Sequence, residues 1–409
     1  MAKSRKDSKG HVLRKGEYER GDGRYMYQYT DISHKRQTEY AKDLVELREK
    51  EREIQRMQED GIDCIRNKTF TLNDAFDKYI ACKYDLKQST RTNYNYMYDK
   101  YVRETFGNRR LCRIKYSDIK QFYYSLIIEK KFKPNSLEVV NNIIHPTLTM
   151  AVRDGILRIN PSDGVMNEIK KSNSWKVEKR HALTKEQQLA FMQYIDKSPI
   201  YQHWLPLFIT LLGTGGRISE IIGLCWHNVD WENRMIQIDH NLVYRIQDSG
   251  RCEFHITSTK TRAGTRVVPM LNIVYNALRQ EYEIQKKEGF SKVTVDGYTD
   301  FVFVNRFGNV HNPTTINRTI KRIYEAYNRE EEEKAKKENR TPLLIPHFSC
   351  HHLRHTFCAR LCEEEPNMKV IQSIMGHADI STTMDVYAEL TEDRKRKSFQ
   401  KLDNKIRIL

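Results

Sequence analysis

Apolar and polar positions alternate with different periods along the chain, and the changes of period mark its divisions. In "GRYMYQYTD", Tyr25, Tyr27 and Tyr29 alternate with Met26, Gln28 and Thr30, a period of two that predicts a strand, with Gly16, Gly21 and Gly23 as punctuation. "TEYAKDLVELREKEREIQRM" follows, with Tyr40, Leu44 and Leu47 at helical spacing amid dense mixed charge. Residues 1–65 therefore read as a small α+β module, a sheet braced by one amphipathic helix.

Residues 66–166 read as an all-α domain of four helices: "TLNDAFDKYIACKY", "TRTNYNYMYDKYVRETF", "YSDIKQFYYSLIIEK" and "SLEVVNNIIHPTLTMAVRDG". Thr71 with Asp74, and Ser136 with Glu138, look like helix starts, while Pro134 and "NPSDG" mark breaks. Residues 167–180, "NEIKKSNSWKVEKR", are polar, basic and without period, as a linker would be.

A third domain, 181–409, opens with a Thr184–Gln187 capping box. Helical "WLPLFITLLGTGGRISEIIGLCW" leads to strand-like "MIQIDHNLVYRI", "CEFHITSTKTRAGTRVVPM" and "FVFVN", and helices return after Pro313. "NREEEEKAKKENRTP" reads as a solvated helix end and loop. The domain is thus mainly α with a small antiparallel sheet.

Charge narrows the function. With 70 Lys+Arg against 54 Asp+Glu the formal charge is +16, which favours a polyanionic partner, nucleic acid ahead of a membrane surface. No run of 18 apolar residues exists and the N-terminus lacks a secretory signal's apolar stretch, so a cytoplasmic location with reduced thiols is expected. The eight cysteines contain no Cys-x-x-Cys pair, which argues against disulfides and a metal cage.

The densest chemistry is "HFSCHHLRHTFCARLC", residues 347–362. Its His-x3-His and Cys-x3-Cys pairs run on along one segment, without the loop that joins the two pairs of a structural zinc site. On a helix, His351 and Arg354 would share one face while Leu353, Phe357 and Leu361 form the buried stripe. In "LLGTGGRISEIIGL", Arg217 and Glu220 are three apart after a Gly-rich turn, so a guanidinium emerges at a helix start held by a carboxylate. Lys260 sits in "TSTKTRAGTRVVP", which reads as a hairpin tip, and "MGHADISTTMDVYAEL" places His377 ten residues before Tyr387. Taken singly, these are a core helix, a surface ion pair and a solvated lysine.

Taken together, "TGGRISE", "KTRAGTRVVP", "HHLRHTF" and "MGHADISTTMDVYAE", in this order over residues 214–389, resemble the four catalytic motifs of tyrosine site-specific recombinases. "DGRYMYQYTD", "ENRMIQIDH" and "VDGYTDFVFVNR" further resemble the integrases of conjugative transposons. Gly216 departs from the family, where a bulkier residue usually precedes the arginine.

The resemblance implies a three-stranded-sheet module binding arm-type DNA, a SAM-like four-helix core-binding domain, and a catalytic domain of the DNA breaking-rejoining fold. It implies that Tyr387 attacks a phosphodiester, Arg217 and Arg354 hold the phosphate, His351 acts as base, His377 donates to a phosphate oxygen, Lys260 protonates the leaving oxygen and Glu220 orients Arg217. Arm contacts fall to Arg14, Lys15, Arg20, Arg24 and Tyr27, and core contacts to Lys87, Arg91 and Asn93. It implies a site-specific recombinase passing through a 3′-phosphotyrosyl link and a Holliday junction without ATP, cofactor or metal. The implied partners are double-stranded DNA at core and arm sites, a homotetramer on DNA and an excisionase or other directionality factor, with no membrane. Type IB topoisomerase-like relaxation and a noncatalytic architectural DNA-binding role remain the alternatives. After Tyr387, Phe399, Leu402, Ile406 and Leu409 form one apolar stripe on an otherwise basic tail, expected to pack on a neighbouring protomer or fold back on its own domain.

Overall fold

The computed structural model describes residues 5–31, 34–62, 68–172, 175, 181–246, 251–259 and 262–388. The chain forms two compact units, 1–178 and 179–409.

The first unit holds two separate cores. β1 (Glu17–Glu19), β2 (Tyr25–Thr30) and β3 (Arg36–Ala41) form an antiparallel meander in that order, and α1 (Leu44–Glu59) covers one face. The alternation in β2 turns Tyr25, Tyr27 and Tyr29 inward, where they pack with Ala41, Leu47 and Ile54. Tyr27 is 7% exposed, which removes it from the candidate DNA contacts. The register places Tyr18, Met26 and Tyr40 side by side on the opposite face, with Gln28 beside Thr38. Tyr40 belongs to this strand and not to the helix: the Asp43 carboxylate caps α1 by accepting from the Glu46 N–H, so helical geometry begins at Leu44.

The helical domain consists of α2 (Leu72–Ala81), α3 (Gln88–Tyr98), α4 (Tyr116–Ile128), α5 (Pro134–Arg153) and α6 (Val165–Lys171). Thr71 and Asp74 form the expected capping box. α5 begins at Pro134, two residues before the expected Ser136, because proline at the first helical position forgoes only an N–H that would lack a partner there. α6 runs into the segment read as linker: Val165, Met166 and Ile169 bury one side in the same core as Leu72, Tyr98 and Ile143.

The second unit begins with α7 (Lys185–Lys197), capped by the Thr184–Gln187 box as expected. α8 (Leu205–Thr214) and the single-turn α9 (Ile218–Ile221) follow. β4 (Val229–Asp230), β5 (Met235–Ile238) and β8 (Arg266–Pro269) form one antiparallel sheet. β6 (His240–Ile246) and β7 (Cys252–Ser258) form a separate ribbon. β7 pairs with β6 and β8 with β5, so these two strands are not paired with each other; Lys260, expected at a hairpin tip between them, lies outside the described residues.

"FVFVN" is not a regular strand. Phe301, Val302 and Phe303 are buried, but the backbone makes only isolated bridges at Phe301 and Val304. Helix also resumes earlier than Pro313, with α10 (Asn272–Glu288). α11 (Pro313–Lys337) carries the charged run, α12 (Cys350–Glu364) the histidine-rich stretch, and α13 (Met368–Met375) and α14 (residues 381–388) the last motif. Among the described residues no helix is long and apolar enough to cross a membrane.

Candidate active site

The site grows from two helix ends terminated by glycine. α8 ends at Gly215, at φ 62°, and α13 ends at Gly376, at φ 63°, a left-handed conformation that costs glycine little. A helix C-terminus exposes carbonyls without intrahelical donors and carries partial negative charge, so it attracts cations. Three arginines from three other segments use the end of α13. Arg266 Nε donates to the Ile374 carbonyl at 2.7 Å, Arg354 Nη2 to Met375, and Arg217 Nη2 to Gly376 at 3.3 Å. Arg354 Nη1 also donates to the Gly215 carbonyl at 2.6 Å, joining the two helix ends.

Glu220 neutralises part of this cluster. Its carboxylate accepts from the Arg217 backbone N–H at 2.8 Å, from Arg217 Nη1 at 2.7 Å and from Arg266 Nη2 at 2.9 Å. Burial presses its pKa upward, but the bonds and charges of Arg266 and Arg217 outweigh burial and hold it below the usual carboxylate range. Arg217 is the cap residue of α9, so the expected helix-start pairing with Glu220 is present. A Cβ on Gly216 would lie 2.4 Å from Ile221 Cδ1, so Ile221 fills the space a bulkier residue would need.

Arg354 is 5% exposed, and burial, followed by repulsion from Arg217, pulls its pKa down to about 9, which leaves it charged at neutral pH. His351 is exposed in the first turn of α12, so the two share a helix but not an environment. His377 follows directly on the three gripped carbonyls. It is 8% exposed, with Nδ1 2.9 Å from Thr383 Oγ1, and burial followed by the charges of Arg354, Arg217 and Arg266 pulls its pKa down to about 4. Tyr387 is half-buried on α14 and packs on a small core of Cys358, Ala359, Cys362, Ile371, Met375 and Val386. Lys260 lies outside the described residues, as do residues 389–409 of the tail.

The structure thus brings Arg217, Glu220, Arg354 and His377 together. Two residues missed in the sequence belong with them. Arg266 is 8% exposed, and its position two before the buried Val268 on β8 was the available signal. Thr383 is fully buried and lies in the quoted motif, between His377 and Tyr387. Arginine forks suit a tetrahedral oxyanion: each retains N–H groups beyond those spent on carbonyls, and a guanidinium binds phosphate oxygens through parallel charge-assisted bonds.

The cysteines of this region act as small hydrophobes. Cys350, Cys358 and Cys362 are buried, and burial pushes the Cys350 thiol up to about 12. Among the described residues no group of three or more His, Cys, Asp or Glu side chains is placed to hold a metal ion.

Of the expected DNA contacts, Arg14, Lys15, Arg20, Arg24, Lys87 and Asn93 are exposed. Arg91 is turned inward: its guanidinium donates to the carbonyls of Ile80 and Lys83, satisfying the end of α2.

The chain is similar to known proteins. Residues 181–394 match the phage integrase family, residues 1–58 the DNA binding domain of Tn916 integrase, and residues 71–127 the N-terminal SAM-like domain of phage integrases. The transposase from transposon Tn916 of Enterococcus faecalis is 30% identical over 98% of both chains, and so is that from transposon Tn1545 of Streptococcus pneumoniae. The solved Tn1549 transposon integrase in complex with transposon right end DNA is 28% identical, with a TM-score of 0.69 over 82% of this chain and all of that one. With family matches in both units and near full-length kinship to two transposases, the chain belongs to the phage integrase family, as a tyrosine recombinase of the conjugative-transposon type that performs site-specific recombination of a mobile element.

Proposed function

We propose that Tyr387, Arg217, Arg354, His377, His351 and Lys260 carry out the strand transfer of this recombinase. The Tyr387 hydroxyl attacks the scissile phosphorus, the bond to the 5′ oxygen breaks, and a 3′-phosphotyrosyl link retains the energy of the cut bond, so rejoining needs no ATP. The hydroxyl must lose its proton as it attacks, and the base that takes it is His351; Lys260 gives a proton to the departing 5′ oxygen. Arg217 and Arg354 stabilise the extra negative charge on the nonbridging oxygens, and His377 adds a neutral donor. A free 5′-hydroxyl of a second duplex reverses the step, and two rounds pass through a Holliday junction.

The observation that carries this reading is the seating of both guanidiniums on the helix end that presents His377. Incubation with a nicked suicide substrate tests it. The wild type forms a denaturation-resistant adduct, whereas Tyr387→Phe binds the site and forms none; an adduct formed by that variant refutes the assignment of the nucleophile.

Exposure supports a division of the DNA surfaces. We assign arm-site binding to residues 1–65, through the outward face bearing Tyr18, Met26, Gln28, Thr38 and Tyr40, with Arg14, Lys15, Arg20 and Arg24 at phosphates. Residues 66–171 hold the core site through Lys87 and Asn93, residues 172–180 join it to the catalytic domain, and residues 181–409 cut. The working unit is a homotetramer on DNA in the cytoplasm, served by an excisionase or other directionality factor. The tail stripe packs on the next protomer. A chain ending at Glu392 should cleave a suicide substrate but fail to assemble the four-protomer synapse.

A further inference from the structure

The His377 ring touches a group that the proposed mechanism does not use. Thr383 Oγ1 lies 2.9 Å from His377 Nδ1, and both side chains are shielded from solvent, Thr383 completely. The surrounding backbone fixes the geometry. The His377 N–H donates to the Gln372 carbonyl at 3.2 Å, the His377 carbonyl accepts from Gln372 Nε2 at 3.1 Å, and the Thr383 N–H donates to the Ile380 carbonyl at 2.9 Å in the first turn of α14. Histidine and threonine therefore meet at a set distance, six residues apart.

The proton count decides which nitrogen carries hydrogen. Among the described residues, the Thr383 hydroxyl has one hydrogen-bond partner, Nδ1. If Nδ1 carried a proton it would donate to Oγ1, and the hydroxyl hydrogen would be left in a dry interior without an acceptor, at a cost of about 1–3 kcal/mol. If Nδ1 carries a lone pair, the hydroxyl donates to it and both groups are satisfied. The ring proton then resides on Nε2. An imidazolium would orphan the hydroxyl in the same way.

We infer that Thr383 is a positioning residue that fixes His377 as the Nε2–H tautomer, so that the ring meets a phosphate oxygen as a donor and not as a lone pair. The kinetic part of this inference rests on the assignment of His377 as phosphate donor; the tautomer itself does not. It predicts that a β-branched residue without a hydroxyl fills the site yet performs worse.

The test is nitrogen NMR of the full chain labelled with 15N-histidine, with His377→Gln identifying the resonances, alongside strand cleavage. The wild type should show a pyridine-type Nδ1 and a protonated Nε2. Thr383→Val should show shifts averaged between the two tautomers and cleave about 10-fold more slowly with unchanged site affinity, as loss of one such hydrogen bond allows. Thr383→Ser should restore both the spectrum and the rate. A wild-type ring protonated on Nδ1, or a Thr383→Val spectrum identical to the wild type, overturns the inference at any cleavage rate. A shifted tautomer with undiminished cleavage upholds the hydrogen bond and removes His377 from the phosphate.

Discussion

Arg354 and Arg217 donate to neighbouring peptide units, the first to the carbonyl of Met375 and the second to that of Gly376. Their separation is therefore set by one helix end. Gly376 has φ 63°, and a Cβ there would lie 2.8 Å from the Ala263 carbonyl oxygen and 2.9 Å from Arg266 Cδ. Gly376→Ala should cost about 1–3 kcal/mol in strain and displacement, read as a lower Tm, and should reduce cleavage more than arm-site affinity.

Arg217→Lys keeps the charge but loses the planar fork that serves Glu220 and Gly376 and, in the proposed mechanism, phosphate. Cleavage of a suicide duplex should fall by about two orders of magnitude or more, the size seen when one oxyanion donor is removed. Gel-shift affinity should change little, since one phosphate contact among many survives as a point charge. Near-normal cleavage would reduce Arg217 to a structural ion pair.

Glu220 holds two arginines from a position 3% exposed. Glu220→Ala should destabilise the catalytic domain by about 3–5 kcal/mol in urea unfolding, because Arg266 is left buried without its counter-charge. Arg266→Met in the same background should recover part of that loss without recovering cleavage.

Acid should weaken the catalytic domain before ordinary carboxylates titrate. His377 and His311 are both depressed to about 4, first by burial, below the unfolded value of 6.5. The unfolded chain then binds more protons than the folded one, so the stability these rings leave intact above pH 6.5 is lost as pH falls from 6.5 towards 4. His311 can account for about 3 kcal/mol of that loss, and His377, less enclosed, for a smaller share after solvent screening. Urea midpoints between pH 7.5 and 4.5 should fall less steeply in His377→Asn than in the wild type.

The two faces of the N-terminal sheet should separate stability from DNA affinity. Tyr27→Ala opens the core beneath α1 and should cost about 3–5 kcal/mol, the usual loss for a buried aromatic. Tyr40, 49% exposed with Arg20 over its ring, should tolerate alanine with little change in Tm while arm-site affinity falls. Equal affinity losses in two equally folded variants would show that the outward face is not the one that meets DNA.

Tyr27 also shows how far periodicity reaches. Alternation establishes that Tyr25, Tyr27 and Tyr29 share a face; which face is inward is settled only by where α1 lands. The capping boxes at Thr71 and Thr184 were legible because their bonds span three residues. Arg266 was not, because its partners at Glu220 and Ile374 lie 46 and 108 residues away, and a charged side chain on a short strand reads as solvated. On β8 the usual sides are reversed: Arg266 is buried and Val267 is 56% exposed. Arg91 looked like a phosphate contact for the same reason, its two carbonyl partners being a matter of how α2 ends. The catalytic motifs could be read because each keeps its chemistry within a few residues, whereas the grip on α13 belongs to the folded domain.

That grip also orders events during synthesis. The bonds from Arg217 to Gly376 and from Arg354 to Gly215 join residues 159 and 139 positions apart, and such long loops close late. A chain leaving the ribosome folds its N-terminal units first. Those units would be folded while Arg217, Arg266 and Arg354 still lacked the α13 carbonyls that seat them. Those carbonyls emerge only just ahead of Tyr387, so the order of the residues alone makes the grip on α13 one of the last parts of the chain that can form.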